Sequence, residues 1–206
     1  MAGSKKPPGA EKSESLKAIH HRVRNNLQII SSLLGLESRR VDDARAREAF
    51  LEMRNRVHSI ATIHDVLEQS PSATLVDLLT CARQMLPDIL KFSGAAGKIV
   101  PDVSGENITL EFDRAAPWGL LLNELVSGVC KRARSAAATV RLSVSLSRDA
   151  ERIVMTVADT APELPEDFEG LATQPMGLVK SLALQLRAEL KVAAGRVTVT
   201  IPDGAD

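Results

Sequence analysis

The sequence predicts an α+β protein in which an N-terminal helical hairpin, half of a dimeric four-helix bundle, is followed by an α/β sandwich. Two observations predict it. From about residue 15 to residue 69, apolar residues recur at helical spacing. After the turn-forming SPSA at residues 70–73, β-rich segments alternate with helical ones. The predicted division is a disordered tail over 1–13, a helical hairpin over 14–70 and a second domain over 74–203.

The first region is predicted to form two long amphipathic helices. Their apolar positions are Leu16, Ile19, Val23, Leu27, Ile30, Leu33, Leu34, Ala46, Phe50, Met53, Val57, Ile60, Ile63 and Leu67. The polar connection near residues 38–43 has no proline or glycine, and its shortness predicts an antiparallel hairpin. Two helices cannot enclose so wide an apolar stripe. We therefore expect a homodimer in which a second copy completes a four-helix bundle.

The second region mixes both periodicities, and with 44% hydrophobic residues the chain can bury a core. Helices are predicted at about 74–90, 115–134 and 176–188. Strands are predicted in KIVPDV, NITLEF, ATVRLSVSLS, RIVMTVAD, ELKVAA and RVTVTIP, the last two turning about Gly195. The expected arrangement has helices on one face of a mostly antiparallel sheet.

Composition excludes several classes of function. The 26 basic and 26 acidic residues cancel, and one Trp without any Tyr offers no stacking surface, so we expect no nucleic-acid partner. No segment approaches the roughly 18 apolar residues of a spanning helix, so we expect a cytoplasmic protein that does not bind membranes. Cys81 and Cys130 lie in apolar helical patterns and are predicted to be reduced core thiols. His58 and His64 are predicted to pack in the bundle, and no metal site is expected.

Two adjacent histidines stand in the first helix, within AIHHRVRNNLQII. At about 100° per residue, with Val23 at the centre of the apolar stripe, His20 lies about 60° from the centre and His21 about 160° away. His21 is therefore the solvent-facing imidazole, and Asn25 follows it by one turn. A neutral imidazole near pH 7 is a competent nucleophile.

The residues beside His21 suit a phosphoryl group. Arg22 and Arg24 supply positive charge, and Asn25 can hydrogen-bond the ring or an incoming oxygen. These four residues form the candidate site. An exposed histidine on an amphipathic helix is often without a function, and on the helix pattern alone that alternative stays open.

The hairpin resembles the dimerisation and phosphoacceptor domain of bacterial two-component histidine kinases with the motif H-R-V-K-N-N-L-Q, the HisKA_2 type related to the His-Trp-Glu kinases. The segments that carry the resemblance are HHRVRNNLQIISSLLGLESRR and RNRVHSIATIHDVL, which cover nearly all of both helices. The resemblance implies that His21, directly before Arg-Val, is the phosphorylated histidine. Arg24 stands where the family usually has lysine. Receiver domains of response regulators are the implied partners.

The second domain is similar to the ATP-binding module of these kinases, a sandwich shared with gyrase and Hsp90, but its motifs are damaged. LLLNELVSGVCKRA resembles L-N-E-L-V-x-N-A-x-K-H-A. Asn123 and Glu124 remain, whereas Gly128 replaces the asparagine that binds the magnesium of ATP. Losing that ligand removes the ion that neutralises the phosphates.

The glycine-rich motifs are eroded as well. VADTAPELPEDFE resembles V-x-D-N-G-x-G-L-P-E-D-F, in which Asp159, the residue implied to read adenine, survives. Ala161 and Glu163 replace the two glycines that let the backbone approach a nucleotide. In the short lid GLATQPMG, Gly177 remains of the second glycine cluster. Asn123, Asp159 and Gly177 are thus vestigial cofactor-binding positions, with a purely structural role for Asn123 and Asp159 left open.

The resemblance and its departures lead to one favoured function. We expect a histidine phosphotransfer protein of a bacterial phosphorelay, in which His21 carries a phosphoryl group between the aspartates of two receiver domains. This chain would bind no cofactor of its own, and the receiver would supply Mg²⁺. One alternative is an active ATP-dependent sensor kinase that lacks its own sensor domain. Another is a dimeric signalling scaffold without catalysis.

Overall fold

The computed structural model describes residues 8–72, 74–161 and 175–204, with the backbone alone for residues 8–14 and 175–176. The helices are α1 (Pro8–Glu37), α2 (Ala44–Gln69), α3 (Leu78–Phe92), α4 (Phe112–Ser135) and α5 (Pro175–Gln185). The strands are β1 (Leu75–Asp77), β2 (Ile99–Gly105), β3 (Thr109–Glu111), β4 (Val140–Asp149), β5 (Arg152–Asp159), β6 (Glu189–Ala193) and β7 (Arg196–Pro202). A helical N-terminal region followed by a mixed sheet domain confirms the predicted fold class.

The hairpin connection lies where the sequence predicts it, between the end of α1 and the start of α2. Asp43 caps α2, because its carboxylate accepts a hydrogen bond of 2.7 Å from the backbone N–H of Ala46. The predicted tail over 1–13 overlaps α1, which begins at Pro8. Pro8 opens the helix at a position that needs no N–H, and the residues after it extend the helix.

The main sheet has five strands in the order β2-β4-β5-β7-β6. The β2–β4 pair is parallel and the other pairs are antiparallel, so the sheet is mostly antiparallel, as the sequence predicts. Side chains alternate along β4, where Val140, Leu142, Val144 and Leu146 are buried between outward-facing polar residues. Gly195 turns the β6–β7 hairpin at φ +62°, a conformation that favours glycine.

The core of the second domain includes the C-terminal half of α2. Ile63, Val66 and Leu67 are buried in the same hydrophobic cluster as Trp118 of α4 and the inward residues of the sheet. Residues on both sides of the predicted boundary at residue 70 therefore share one hydrophobic core. Because α2 packs on α1 with one face and on α3 and α4 with another, the hairpin and the sheet domain share one helix.

Gly119 allows α2 and α4 to approach closely. A Cβ atom at this position would lie 2.4 Å from Cδ1 and 3.2 Å from Cγ1 of Ile63, which has 0% exposure. Gly119→Ala is therefore expected to lower the free energy of unfolding by about 1–3 kcal/mol, since the buried Ile63 has little room to move. Urea unfolding measures the change. The control is Gly177→Ala, because no atom lies within 4 Å of the added Cβ. Gly94→Ala is unsuitable, since Gly94 has φ +67°, a backbone conformation that alanine disfavours.

Several apolar side chains of the hairpin remain exposed in the single chain. They are Ile19, Ile29, Ile30, Leu33 and Leu36 of α1 and Met53 of α2, all between 45% and 59% exposed. Large apolar side chains grouped on one helix face are typical of a surface that is covered by a partner. Within the described residues, no helix combines the length and the apolar character that crossing a bilayer requires.

Candidate functional site

The structure separates the two adjacent histidines as the helical geometry predicts. His21 is exposed, whereas His20 turns toward α2. The amide nitrogen of Asn25, one turn further on, lies 3.4 Å from Nδ1 of His21. Arg22 is exposed beside it. His21, Arg22 and Asn25 thus stand together on α1, with His21 accessible to a partner.

Arg24 is placed differently from the expectation. Its guanidinium forms ion pairs with the carboxylates of Asp65 and Glu68 on α2, the latter at 3.0 Å. Two carboxylates neutralise its charge and hold it between the helices, so Arg24 joins α1 to α2 and does not face the solvent side of His21. The sequence pattern could not show this, because the partners lie 41 or more residues away in sequence.

His20, His64 and Phe112 form a ring cluster where α1, α2 and α4 meet. Nδ1 of His20 lies 3.0 Å from Nδ1 of His64, so one ring donates its proton to the other. The centroid of Phe112, the first residue of α4, is 4.6 Å from that of His64 and 5.3 Å from that of His20. The sequence predicts that His64 packs within the bundle. The structure shows that it contacts α1 and, in addition, α4 of the second domain.

His58 also contacts the sheet domain. Its Nε2 lies 2.8 Å from the carboxylate of Asp88 on α3, and its ring packs edge-on against Phe92. These contacts of His58 are with the second domain and not with α1, as packing in the bundle would require. His64 differs, because it contacts both α1 and the second domain.

Stability is expected to depend on pH through His64. Burial, aided by the neighbouring His20 imidazole, lowers the pKa of His64 from 6.5 to about 4. Above pH 6.5 the ring is neutral in the folded and the unfolded chain, and its contribution does not change with pH. Between pH 6.5 and about 4 only the unfolded chain takes up the proton. The free energy of unfolding therefore falls across this window, by up to about 3 kcal/mol.

Urea unfolding at about pH 7 and about pH 5 measures this dependence. Carboxylates also titrate toward acid pH, so the wild type is compared with His64→Phe, which has no titratable ring at this position. The variant should lose less stability than the wild type between the two pH values. Equal losses would contradict the assignment to His64.

The polar residues of the first nucleotide motif contact α2. The hydroxyl of Ser59 donates to Oδ1 of Asn123 at 3.2 Å, and Asn123 is 1% exposed. Glu124 receives two hydrogen bonds from the guanidinium of Arg56, at 2.8 and 2.9 Å. Asn123 also donates to the Glu124 carboxylate at 3.1 Å. Asn123 and Glu124 are thus part of the interface between α2 and α4.

Two further ion pairs continue this interface along the helices. Lys131 contacts Glu52 at 2.5 Å, and Arg134 contacts Glu48 at 2.6 Å. Because α2 and α4 run antiparallel here, successive turns of one helix meet successive turns of the other. We call these pairs, with Arg56–Glu124, the α2–α4 ionic ladder. Glu48, Glu52 and Arg56 are spaced four residues apart on α2. This spacing places them on one helix face and is the signal in the sequence that could have indicated the ladder.

Asp159 is paired within the protein. Arg132 of α4 contacts its carboxylate at 2.5 Å, and the second carboxylate oxygen accepts the N–H of Ala161 at 2.9 Å. Arg132 occupies the position of the histidine in the K-H-A motif. Sequence reasoning missed Arg132.

The other nucleotide-motif residues contribute less to the site. Gly177 is an exposed residue of α5, and no atom lies within 4 Å of the Cβ position. Glu163, Pro162 and Pro165 lie outside the described residues, as do residues 170–174 of the predicted lid. Among the described residues there is no group of three or more metal-ligating side chains.

The described residues of this region do not fit a magnesium–nucleotide complex. The Asp159 carboxylate has internal partners on both oxygens. Position 128 has no side chain to ligate an ion, and Asn123 is buried against α2. A nucleotide would have to displace these contacts. The absence of ATP binding stays a prediction.

The helical hairpin and the start of the second domain match a known protein family. Residues 18–93, which include His21 and His64, match the HisKA_2 family, described as histidine kinase. Residues 18–93 are therefore a HisKA_2 histidine kinase region. Sensor histidine kinase PdtaS of Mycobacterium tuberculosis is 33% identical over 168 residues, 81% of this chain. Blue-light-activated histidine kinase 2 of Erythrobacter litoralis is 25% identical over 203 residues, 95% of the chain.

The chain spans 33% of the length of PdtaS and 58% of that of the blue-light-activated kinase. The histidine kinase domain of the Erythrobacter litoralis EL346 blue-light activated histidine kinase has the same fold. It superposes with a TM-score of 0.67 at 20% identity, over 93% of this chain and 94% of that one.

Proposed function

We propose that this chain is a histidine phosphotransfer protein that carries a phosphoryl group between receiver domains by way of His21. The observation that carries the proposal is the contrast between two parts of the chain. His21 is exposed on α1 beside Asn25. The residues of the nucleotide motifs are instead engaged inside the protein, Asn123 and Glu124 with α2 and Asp159 with Arg132.

The transfer is a displacement at phosphorus. A nitrogen lone pair of His21 attacks the aspartyl phosphate of the donor receiver, the N–P bond forms, and the acyl P–O bond breaks to return a free carboxylate. Transfer to the second receiver reverses these steps. Mg²⁺ bound by the receiver neutralises the phosphoryl oxygens, and the exposed Arg22 adds positive charge.

Asn25 orients the acceptor ring. Its amide lies 3.4 Å from Nδ1 of His21, and a half-turn of the amide presents its oxygen in the same place. When that oxygen accepts Nδ1–H, the lone pair of the neutral imidazole is on Nε2. Nε2 is then the nitrogen that attacks.

The exposed apolar face of α1 supports a homodimer. Its five large apolar side chains, from Ile19 to Leu36, are half exposed in the single chain. A second hairpin placed against this face would bury them in a four-helix bundle. His21 lies on another face of α1, so both histidines of the dimer would remain accessible. Sedimentation equilibrium is expected to give twice the monomer mass.

A kinase that uses ATP is the second candidate, and the names of the relatives favour it, since PdtaS is a sensor histidine kinase. One experiment separates the two functions. The purified protein is incubated with labelled ATP and Mg²⁺, and in parallel with each labelled phospho-receiver of the same cell. The phosphotransfer proposal expects an alkali-stable, acid-labile label from a receiver and none from ATP. Label from ATP alone would overturn it in favour of the kinase.

A further inference from the structure

Three elements meet at the ring cluster of His20, His64 and Phe112. His20 directly precedes the exposed His21 on α1, His64 is on α2 and is 6% exposed, and Phe112 begins α4. The backbone N–H of Phe112 is itself fixed by a 3.0 Å hydrogen bond to the carbonyl of Thr74. The cluster therefore connects the turn of α1 that carries His21 to the sheet domain.

His20 is the middle of a row of side chains by which α1 contacts α2. Lys17, one turn before it, donates to the carbonyl of Ser70 at 2.9 Å. Arg24, one turn after it, is paired with Asp65 and Glu68. These contacts set the rotation of α1 about its own axis. Since His21 is about 100° further round the helix, that rotation decides where its imidazole points.

We propose that the His20–His64 hydrogen bond is a positioning contact for the phosphoacceptor, which holds the His21 turn of α1 in register with the start of α4. The proposal rests on the proposed phosphotransfer function. The two Nδ1 atoms are 3.0 Å apart, so the pair holds one proton between them and each ring is bonded to the other. His20 and His64 act through His21 and do not touch the phosphoryl group.

Two substitutions of His64 separate hydrogen bonding from packing. His64→Phe keeps a ring against Phe112 but removes the Nδ1 atom. His64→Asn loses the ring but places an amide close to the former Nδ1. His58→Phe is the matched control, because His58 is on the same helix but pairs with Asp88 of α3. Thermal melting establishes that each variant is folded at the assay temperature.

The measured quantity is the rate of phosphoryl transfer from a receiver to His21, resolved into the rate at saturating receiver and the receiver concentration at half saturation. His64→Phe is expected to lower the saturating rate by roughly ten- to a hundredfold with little change in half saturation, because the acceptor is misdirected but docking is retained. His64→Asn should recover part of the rate. His58→Phe should match the wild type.

A saturating rate for His64→Phe equal to that of the wild type, or an equal loss in His58→Phe, would overturn the proposal. Amide hydrogen exchange over residues 16–28 gives a readout that does not depend on phosphotransfer. Faster exchange there in His64→Phe, and not in His58→Phe, is the expected result. If the wild type accepted no phosphate but this exchange pattern held, the proposed function would fail while the positioning contact stood. Unchanged exchange in His64→Phe would show that the His20–His64 hydrogen bond does not hold the His21 turn of α1.

Discussion

Replacement of His21 by alanine is expected to abolish phosphoryl acceptance from receivers, with a loss of more than about a thousandfold. Methyl in place of imidazole leaves no nucleophile on the exposed face of this turn. Arg22 and Asn25 beside it have no competent lone pair, because a guanidinium stays protonated and an amide nitrogen is delocalised. The measurement is the acid-labile label on the protein after incubation with a phosphorylated receiver.

The chain contains matched controls for this loss. His58→Ala removes an imidazole of the second helix, which is bonded to Asp88, and should leave the label in place. Because His21 is exposed and makes one long contact, with Asn25, His21→Ala should also keep the melting temperature of the wild type. An undiminished label in His21→Ala would place the phosphoacceptor elsewhere.

Arg56→Ala is expected to destabilise the fold more than changes at exposed charged positions, by about 3 kcal/mol. The Glu124 side chain is 6% exposed and receives both of its strong hydrogen bonds from Arg56. The pKa of Arg56 is raised by this bond and by the negative charges of Glu124 and Glu52. Without the guanidinium, the carboxylate is left buried with only the amide of Asn123.

Urea unfolding of Arg56→Ala and of Arg40→Ala provides the comparison. Arg40 pairs with Glu37 at 3.2 Å, but both side chains are largely exposed, so its removal should cost less than about 0.5 kcal/mol. The double variant Arg56→Ala with Glu124→Gln should recover part of the loss, because no buried charge remains. Equal stabilities of the two single variants would mean that the Arg56–Glu124 pair contributes nothing beyond a surface ion pair.

Features that depend on residues close together in the sequence could be predicted. The connection at residues 38–43, the strands β4 and β5, and the turn at Gly195 lie where the pattern predicts them. The choice between His20 and His21 needed only the 100° rotation per residue of a helix. These features depend on neighbours within one or two turns, and the sequence displays those neighbours directly.

Features that depend on distant partners were not predictable. Arg24 carries the same charge whether it faces a phosphoryl group or Asp65, and the sequence does not distinguish the two. The pattern places His58 and His64 on or near an apolar face, but it does not show that His58 contacts α3 or that His64 contacts α4 as well as α1. The contacts of Arg56 and Ser59 could not be predicted, because their partners Glu124 and Asn123 lie more than 60 residues away in sequence.

The sequence by itself determined that an imidazole stands exposed on a long helix, because helical periodicity is a local property of the backbone. It also showed that Gly128 and Ala161 depart from the nucleotide motifs. Only the tertiary structure decided what the remaining motif residues do. Asp159 pairs with Arg132, and Glu124 pairs with Arg56, because packing α4 against α2 and the sheet buries these carboxylates, and a buried charge requires a partner of opposite sign.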